Sequence, residues 1–308
     1  MGTATVGPRA ASVFAISITP FDAEGRLDET AFRRHLQRLV AAGIGVYVGG
    51  GGSGEGFVLT PPERRRVLEI GAEELSGKVP FRSMGVETRS AEEMIEYARV
   101  AESVGVDAAQ IYSLDLGHGH LPTDDEILEY LIDVLSATTV PTVLSTHQSV
   151  GYRIAVESIT RVVDRFDHVV GVNSSHGDLA YLTALVDGVG NRVDVHVGGP
   201  LQALAALALG ANGFLSSEAN LAPRLCASVI TAYEQGAGNE LLPAFARLAR
   251  LSMALYSQGG IRATKAVLNR LGLPGGYPRK PQLPVADATV DALMMVIDDL
   301  GLARLEGW

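Results

Sequence analysis

Short, nearly continuous apolar runs alternate along this chain with longer stretches whose apolar residues recur every three or four positions. The first run, residues 13–18, is followed by Asp28 and then by Phe32, Leu36, Leu39 and Val40, which share one side of a helix. Further runs at 44–48, 81–86, 108–112, 142–145, 169–173, 193–197 and 213–215 predict seven more strands, each followed by a helical pattern. Helix starts are written plainly. Thr60-Pro61-Pro62-Glu63 combines a cap, an early proline and a capping-box glutamate, and Ser90 with Glu93 and Thr123 with Glu126 repeat the box.

Strands that are apolar on both faces belong to a buried parallel sheet. Eight strand–helix units within about 235 residues predict a (β/α)8 barrel. An open doubly wound sheet would need a point where the strand order reverses, and the chain gives no sign of one. Residues 240–273 and 287–300 read as helical, joined by the turn Gly272-Leu273-Pro274-Gly275-Gly276-Tyr277-Pro278. The expected organisation is a tail over residues 1–12, a barrel over 13–235 and a helical extension over 236–308.

Composition narrows the partners. The 308 residues carry a formal charge of −10, which disfavours nucleic acid and anionic membranes as partners. Arg64, Arg65 and Arg66 read as a solvated helix face. The single cysteine, Cys226, lies in an apolar helical pattern, reads as a small buried hydrophobe and suits a reducing cytoplasm. Residues 1–8 lack the apolar core of a signal peptide, and no run is long enough to span a bilayer.

In a barrel of this kind the chemistry sits at the C-terminal ends of the strands. Read in order, those ends are Ser17-Ile18-Thr19-Pro20-Phe21, then Gly51-Gly52-Ser53-Gly54-Glu55, then Gly171-Val172-Asn173 with Gly177-Asp178-Leu179, then Gly213-Phe214-Leu215-Ser216 with Glu218-Ala219-Asn220. The tail adds Lys265-Ala266-Val267-Leu268 and Arg279-Lys280-Pro281. Over nearly its whole length the chain resembles the dihydrodipicolinate synthase / N-acetylneuraminate lyase family.

That resemblance implies a strand-six lysine that attacks a 2-keto acid and forms a Schiff base. The matching position here is Asn173, and a carboxamide nitrogen is neither basic nor nucleophilic. The family's strand-five relay tyrosine falls on Ser145, its second relay tyrosine near Leu116, and the first threonine of the strand-two loop on Gly52. Lys78, Lys265 and Lys280 are the only lysines, and surface or tail roles are expected for them. Ser53 keeps a hydroxyl where the family has its second threonine. With Gly52 and Gly54 it forms a glycine-rich loop read as contacting a small carboxylate.

Other groups gather at the same strand ends. His118 and His120 follow strand four, His147 strand five and His176 strand six, while Glu55, Glu87 and Glu218 follow strands two, three and eight. Imidazoles and carboxylates move protons near neutral pH. His147 lies two residues beyond Ser145, so strand alternation points it toward the interior. His118 and His120 read as solvent-facing, and Glu218 as support for the last helix start. The spacing matches no standard zinc motif, so neither a metal nor a cofactor is expected.

The expected catalytic set is His147, His176 and Glu87. The expected substrate contacts are Gly52, Ser53, Gly54, Ser145 and Asn173. The function read from them is a lyase or hydratase acting on a small carboxylate or keto acid without a Schiff base. The alternative is a non-catalytic member of the same family, a metabolite-binding or regulatory pseudoenzyme that binds a metabolite or a partner subunit. Self-association as a dimer or tetramer is expected, as among relatives.

Overall fold

The computed structural model describes residues 10–308, so the reading of residues 1–8 lies outside the described residues. Eight parallel strands close into a barrel in chain order: β1 (Ser12–Ile16), β2 (Gly45–Val48), β3 (Phe81–Ser83), β4 (Ala108–Ile111), β5 (Thr142–Thr146), β6 (Val169–Ser174), β7 (Asp194–Val197) and β8 (Gly213–Ser216). Helices alternate with them: α1 (Glu29–Ala41), α2 (Pro61–Leu75), α3 (Ala91–Val104), α4 (Asp124–Ser136), α5 (Val156–Arg165), α6 (Leu179–Val189), α7 (Ala203–Ala208) and α8 (Pro223–Glu234). Four more helices follow: α9 (Gly238–Ser257), α10 (Ile261–Arg270), α11 (Asp287–Asp299) and α12 (Leu302–Glu306). The expected (β/α)8 barrel with a C-terminal helical extension is what forms.

The chain clusters into two compact units. One comprises residues 10–12, 87–103 and 107–214; the other comprises 13–86, 104–106 and 215–308, so the helices after residue 236 pack within the second unit. In the first unit, Leu144, Val172 and Val195 on the strands and Val134, Ile159 and Leu185 on the helices are almost fully buried. Each such side chain contributes about 1.5–3 kcal/mol on burial. In the second unit Phe32, Leu36 and Leu39 of α1 are fully buried on the side the apolar spacing picked out, with Val40 half-buried, and Val67 and Ile70 of α2 are fully buried too.

Local chemistry sets the helix ends. The capping boxes of α2 and α4 both close, with Thr60 and Thr123 accepting from the backbone of Glu63 and Glu126. At α3 only half the box forms. Ser90 Oγ accepts from the Glu93 backbone at 3.3 Å, but the Glu93 carboxylate takes the Arg89 N–H at 2.8 Å. The helix expected over residues 240–273 is two helices, because Gly259 (φ 115°) and Gly260 (φ 58°) adopt backbone angles that interrupt it and favour glycine. Arg66 is held by Glu29 at 2.6 Å and by Glu69 and Glu73, as expected of a charged outer face.

Parallel register sets which positions share a face. Ser145 on β5 pairs with Asn173 on β6, and Asn173 pairs with His196 on β7. Registered residues on neighbouring strands share a sheet face, so these three side chains lie on one face.

Candidate active site

In the first unit Asn173 is 3 % exposed, and its Nδ2 donates to Oε1 of Gln110 at 2.6 Å. Ser145, its registered neighbour, is equally buried. On the far side of Asn173, the His196 Nε2 lies 2.8 Å from Ser12 Oγ. Gln110 and His196 were not singled out from the sequence. Each sits inside a short strand otherwise read as core, and only the folded barrel reveals that Gln110 bonds Asn173 and that His196 is in register with it and bonds Ser12.

Glu87 and His147 do come together. His147 follows the end of β5, with Nδ1 2.5 Å from Ser149 Oγ and 3.2 Å from Glu87 Oε1. Ser149 Oγ donates to the same carboxylate oxygen at 2.6 Å. A carboxylate only accepts, so the hydroxyl proton goes to Glu87 and the hydroxyl oxygen accepts from Nδ1–H. The Ser149 backbone N–H, 3.3 Å from Nδ1, would need the opposite tautomer. The much shorter hydroxyl contact decides, and it leaves the imidazole lone pair on Nε2. Burial pushes the Glu87 carboxyl up, but the hydrogen bonds from His147 and Ser149 outweigh it and hold the group below the usual carboxylate range.

His176 joins neither partner by hydrogen bond. Its ring meets Tyr181 of α6 edge-on at 5.8 Å, and its buried Nε2 has no partner among the described residues. Burial, then the charges of Arg153 and His147, hold its pKa below the ordinary histidine value. His176 thus stands outside the hydrogen-bonded network of Glu87, Ser149 and His147. His118 and His120 are exposed, as expected.

The glycine-rich loop belongs to the second unit. Ser53 is 3 % exposed, and its hydroxyl shares a 2.7 Å hydrogen bond with Ser217 Oγ. Gly54 is required by the loop itself, since a Cβ there would sit 2.8 Å from the Gly50 carbonyl oxygen. Gly52 has no atom within 4 Å of an added Cβ. The loop's remaining bonds run through other groups: Gly51 N–H to Gly85, Glu55 N–H to Gly52 and Gly56 N–H to Gly50. The backbone N–H groups of Gly52, Ser53 and Gly54 therefore carry no hydrogen bond to protein among the described residues. Successive uncommitted N–H groups are the raw material of an anion-binding nest.

Three expectations are corrected here. Lys265 lies in the helical extension, on α10, but is not a surface residue: it is fully buried, ion-paired with Glu55, and donates to the carbonyls of Thr19 (2.8 Å) and Tyr277 (3.0 Å). The glycine-rich turn after α10 brings the Tyr277 carbonyl back over the ammonium. Burial lowers the Lys265 pKa and Glu55 opposes it, and three acceptors match the three ammonium protons. Glu55, read as a mouth carboxylate, is thus spent on Lys265 and on the Arg279 N–H at 2.9 Å. Glu218 does not cap the last barrel helix. Its carboxylate accepts from Ser216 (2.8 Å) and Ser252 (2.6 Å), tying the end of β8 to α9. Cys226 is buried, with its thiol pushed up by burial, as the apolar pattern required.

The profile described as the dihydrodipicolinate synthetase family matches residues 9–300. The chain belongs to that family. It is 31 % identical over 284 residues to a 4-hydroxy-tetrahydrodipicolinate synthase of Hyphomonas neptunium, covering 90 % of this chain and 93 % of that one. Among solved structures it is similar to a dihydrodipicolinate synthase from Thermotoga maritima, with TM-score 0.87 at 22 % identity over 95 % of this chain and 99 % of the other. It is also similar to a prophage protein of the dihydrodipicolinic acid synthase family from E. coli K12, solved in complex with pyruvate. That likeness has TM-score 0.87 at 20 % identity, covering 95 % and 99 % of the two chains. At these identities the structural likeness concerns the fold. No helix among the described residues is long and apolar enough to cross a membrane.

Proposed function

We propose that this member of the dihydrodipicolinate synthetase family is a lyase or hydratase that acts on a small 2-oxo acid or related carboxylate by acid–base chemistry, without an imine. The observation that carries this reading is the Glu87–Ser149–His147 network. It orients an imidazole through Nδ1 and keeps Nε2 as the base, the arrangement general acid–base catalysis needs. Glu87 anchors the network by accepting from the Ser149 hydroxyl. Ser149 is a positioning residue that fixes the tautomer.

Asn173 is assigned to hydrogen bonding, in place of the lysine that the family resemblance puts there. Ser145 and Asn173 supply neutral polar groups where negative charge develops on the substrate. His176 is retained as a shaping residue beside Tyr181. Recognition of the carboxylate is assigned to the loop of Gly52, Ser53 and Gly54, supported by its three uncommitted N–H groups and by the pyruvate bound to the E. coli K12 relative. Copies are proposed to associate in the cytoplasm, with exposed Leu242 and Met253 of α9 and Met295 of α11 as the apolar surface supporting it.

One observation favours a second reading, a metabolite-binding member without turnover. The polar side chains of Asn173 and Ser53 are each tied to a protein partner, Gln110 and Ser217. A panel of 2-oxo and 3-hydroxy acids followed by proton NMR separates the two. Turnover that is lost in His147→Ala supports the enzyme. Saturable binding with no turnover, unchanged in His147→Ala, supports the binder.

A further inference from the structure

Within the second unit a cavity of about 250 Å³ opens beside the glycine-rich loop, where Gly52 and Ser53 form part of its lining. Its walls are mainly apolar: Leu255 of α9 and Ile261 of α10 line it, Phe57 and Tyr256, 53 % and 62 % exposed, reach its rim, and Thr264 and Gln282 add neutral polar groups. No lysine, arginine or histidine contributes to the lining among the described residues. The one charged lining residue, Glu218, is 1 % exposed, and both its oxygens accept from serine hydroxyls.

Charge decides what such a cavity can hold. A carboxylate or ammonium placed against these walls would lose its hydration and meet no counter-charge, which is costly. An apolar body loses nothing by entering. An apolar cavity of roughly 150 Å³ accepts benzene, so this one has room for a single ring or branched alkyl group.

We infer that the cavity takes the uncharged, apolar body of a monocarboxylic acid whose carboxylate rests on the loop of Gly52, Ser53 and Gly54. This rests on the carboxylate assignment made above and names the substrate class: 2-oxo acids with an aromatic or branched aliphatic side chain, not dicarboxylates. The Ser53–Ser217 hydroxyl pair stands at the junction between the polar loop and the apolar walls.

Three probes share one head and differ in the tail: pyruvate has almost none, phenylpyruvate an aromatic one and 2-oxoglutarate an acidic one. Binding to the full chain is measured by isothermal titration. Phenylpyruvate is expected to bind more tightly than pyruvate by about tenfold or more, through burial of its ring. 2-Oxoglutarate is expected to bind no more tightly than pyruvate. Ile261→Trp, which fills the cavity, is expected to remove the phenylpyruvate advantage, and Ile261→Leu to keep it. Equal affinity for pyruvate and phenylpyruvate, or a preference for 2-oxoglutarate, overturns the inference while leaving the carboxylate assignment standing. Absence of binding by all three overturns both.

Discussion

The Nδ2 of Asn173 donates to Oε1 of Gln110 at 2.6 Å, so the position that the family resemblance gives to an imine-forming lysine is held in a buried amide–amide hydrogen bond. An amide nitrogen shares its lone pair with its carbonyl and does not attack a ketone. On that resemblance the pair puts a hydrogen-bonding group at the nucleophile's position, and Ser145, in register beside it, has no phenol.

Restoring the lysine is not enough. Asn173→Lys is expected to release no pyruvate from aldol-type substrates above the background of the parent protein. By the family resemblance, Ser145, Leu116 and Gly52 stand where the proton relay would be, and none of them carries a phenol. Pyruvate release in a coupled assay checks this, and clear turnover by the single variant would show that the relay is dispensable.

The base is expected to be His147. His147→Ala is expected to lower turnover by about 10²–10⁴-fold, the usual worth of a positioned acid–base group. The melting temperature is expected to stay close to that of the parent, because the His147 side chain is 41 % exposed. Glu87→Gln removes the carboxylate that accepts from Ser149 and holds His147 in place, and is expected to lower turnover in the same direction as His147→Ala. Unchanged turnover in Glu87→Gln would separate Glu87 from the proton carrier.

Lys265 is expected to behave as a buried structural charge. Lys265→Met leaves the Glu55 carboxylate buried without its ammonium and is expected to cost about 3–5 kcal/mol. Lys265→Met with Glu55→Gln is expected to cost less than the sum of the two single changes. Urea unfolding of the four proteins reads this directly, and strict additivity would mean that the two side chains do not interact.

Acid stability follows from His35. Burial, reinforced by the charge of Arg38, pulls its pKa down to about 3 from an ordinary 6.5, and its Nε2 lies 2.9 Å from Asn220 Oδ1. A base whose folded pKa is depressed stays neutral while the unfolded chain takes up a proton. Its contribution is therefore complete above pH 6.5 and is lost as pH falls from there toward 3, at up to about 1.4 kcal/mol per pH unit. His35→Gln keeps an amide donor for Asn220 but does not titrate, so its stability is expected to fall less steeply over that window. Parallel curves for parent and variant would assign the acid loss elsewhere.

How much of this was legible in the chain depends on how local each signal is. Strands apolar on both faces and the closed capping boxes at Thr60 and Thr123 depend on neighbouring residues, and they were readable. The break before α10 was missed, because glycines in a helical pattern announce a stop only when their backbone angles are known. Glu87 and His147 were picked out as strand-end residues, but Ser149, which joins them, looked like an ordinary loop serine. Lys265 and Glu55 lie 210 positions apart, and nothing local to either announces the pair. Gln110 and His196 were hidden for the same reason. Their partners come from register around a barrel, which a linear pattern does not display.

The most direct measurement is intact-protein mass after incubation with pyruvate and sodium borohydride, which reduces any imine to a stable adduct. The account predicts no added mass, because Asn173 cannot form the bond and Lys265 is held by Glu55 and two carbonyls. A mass increase that maps to Lys265, or to any other lysine of this chain, would contradict it.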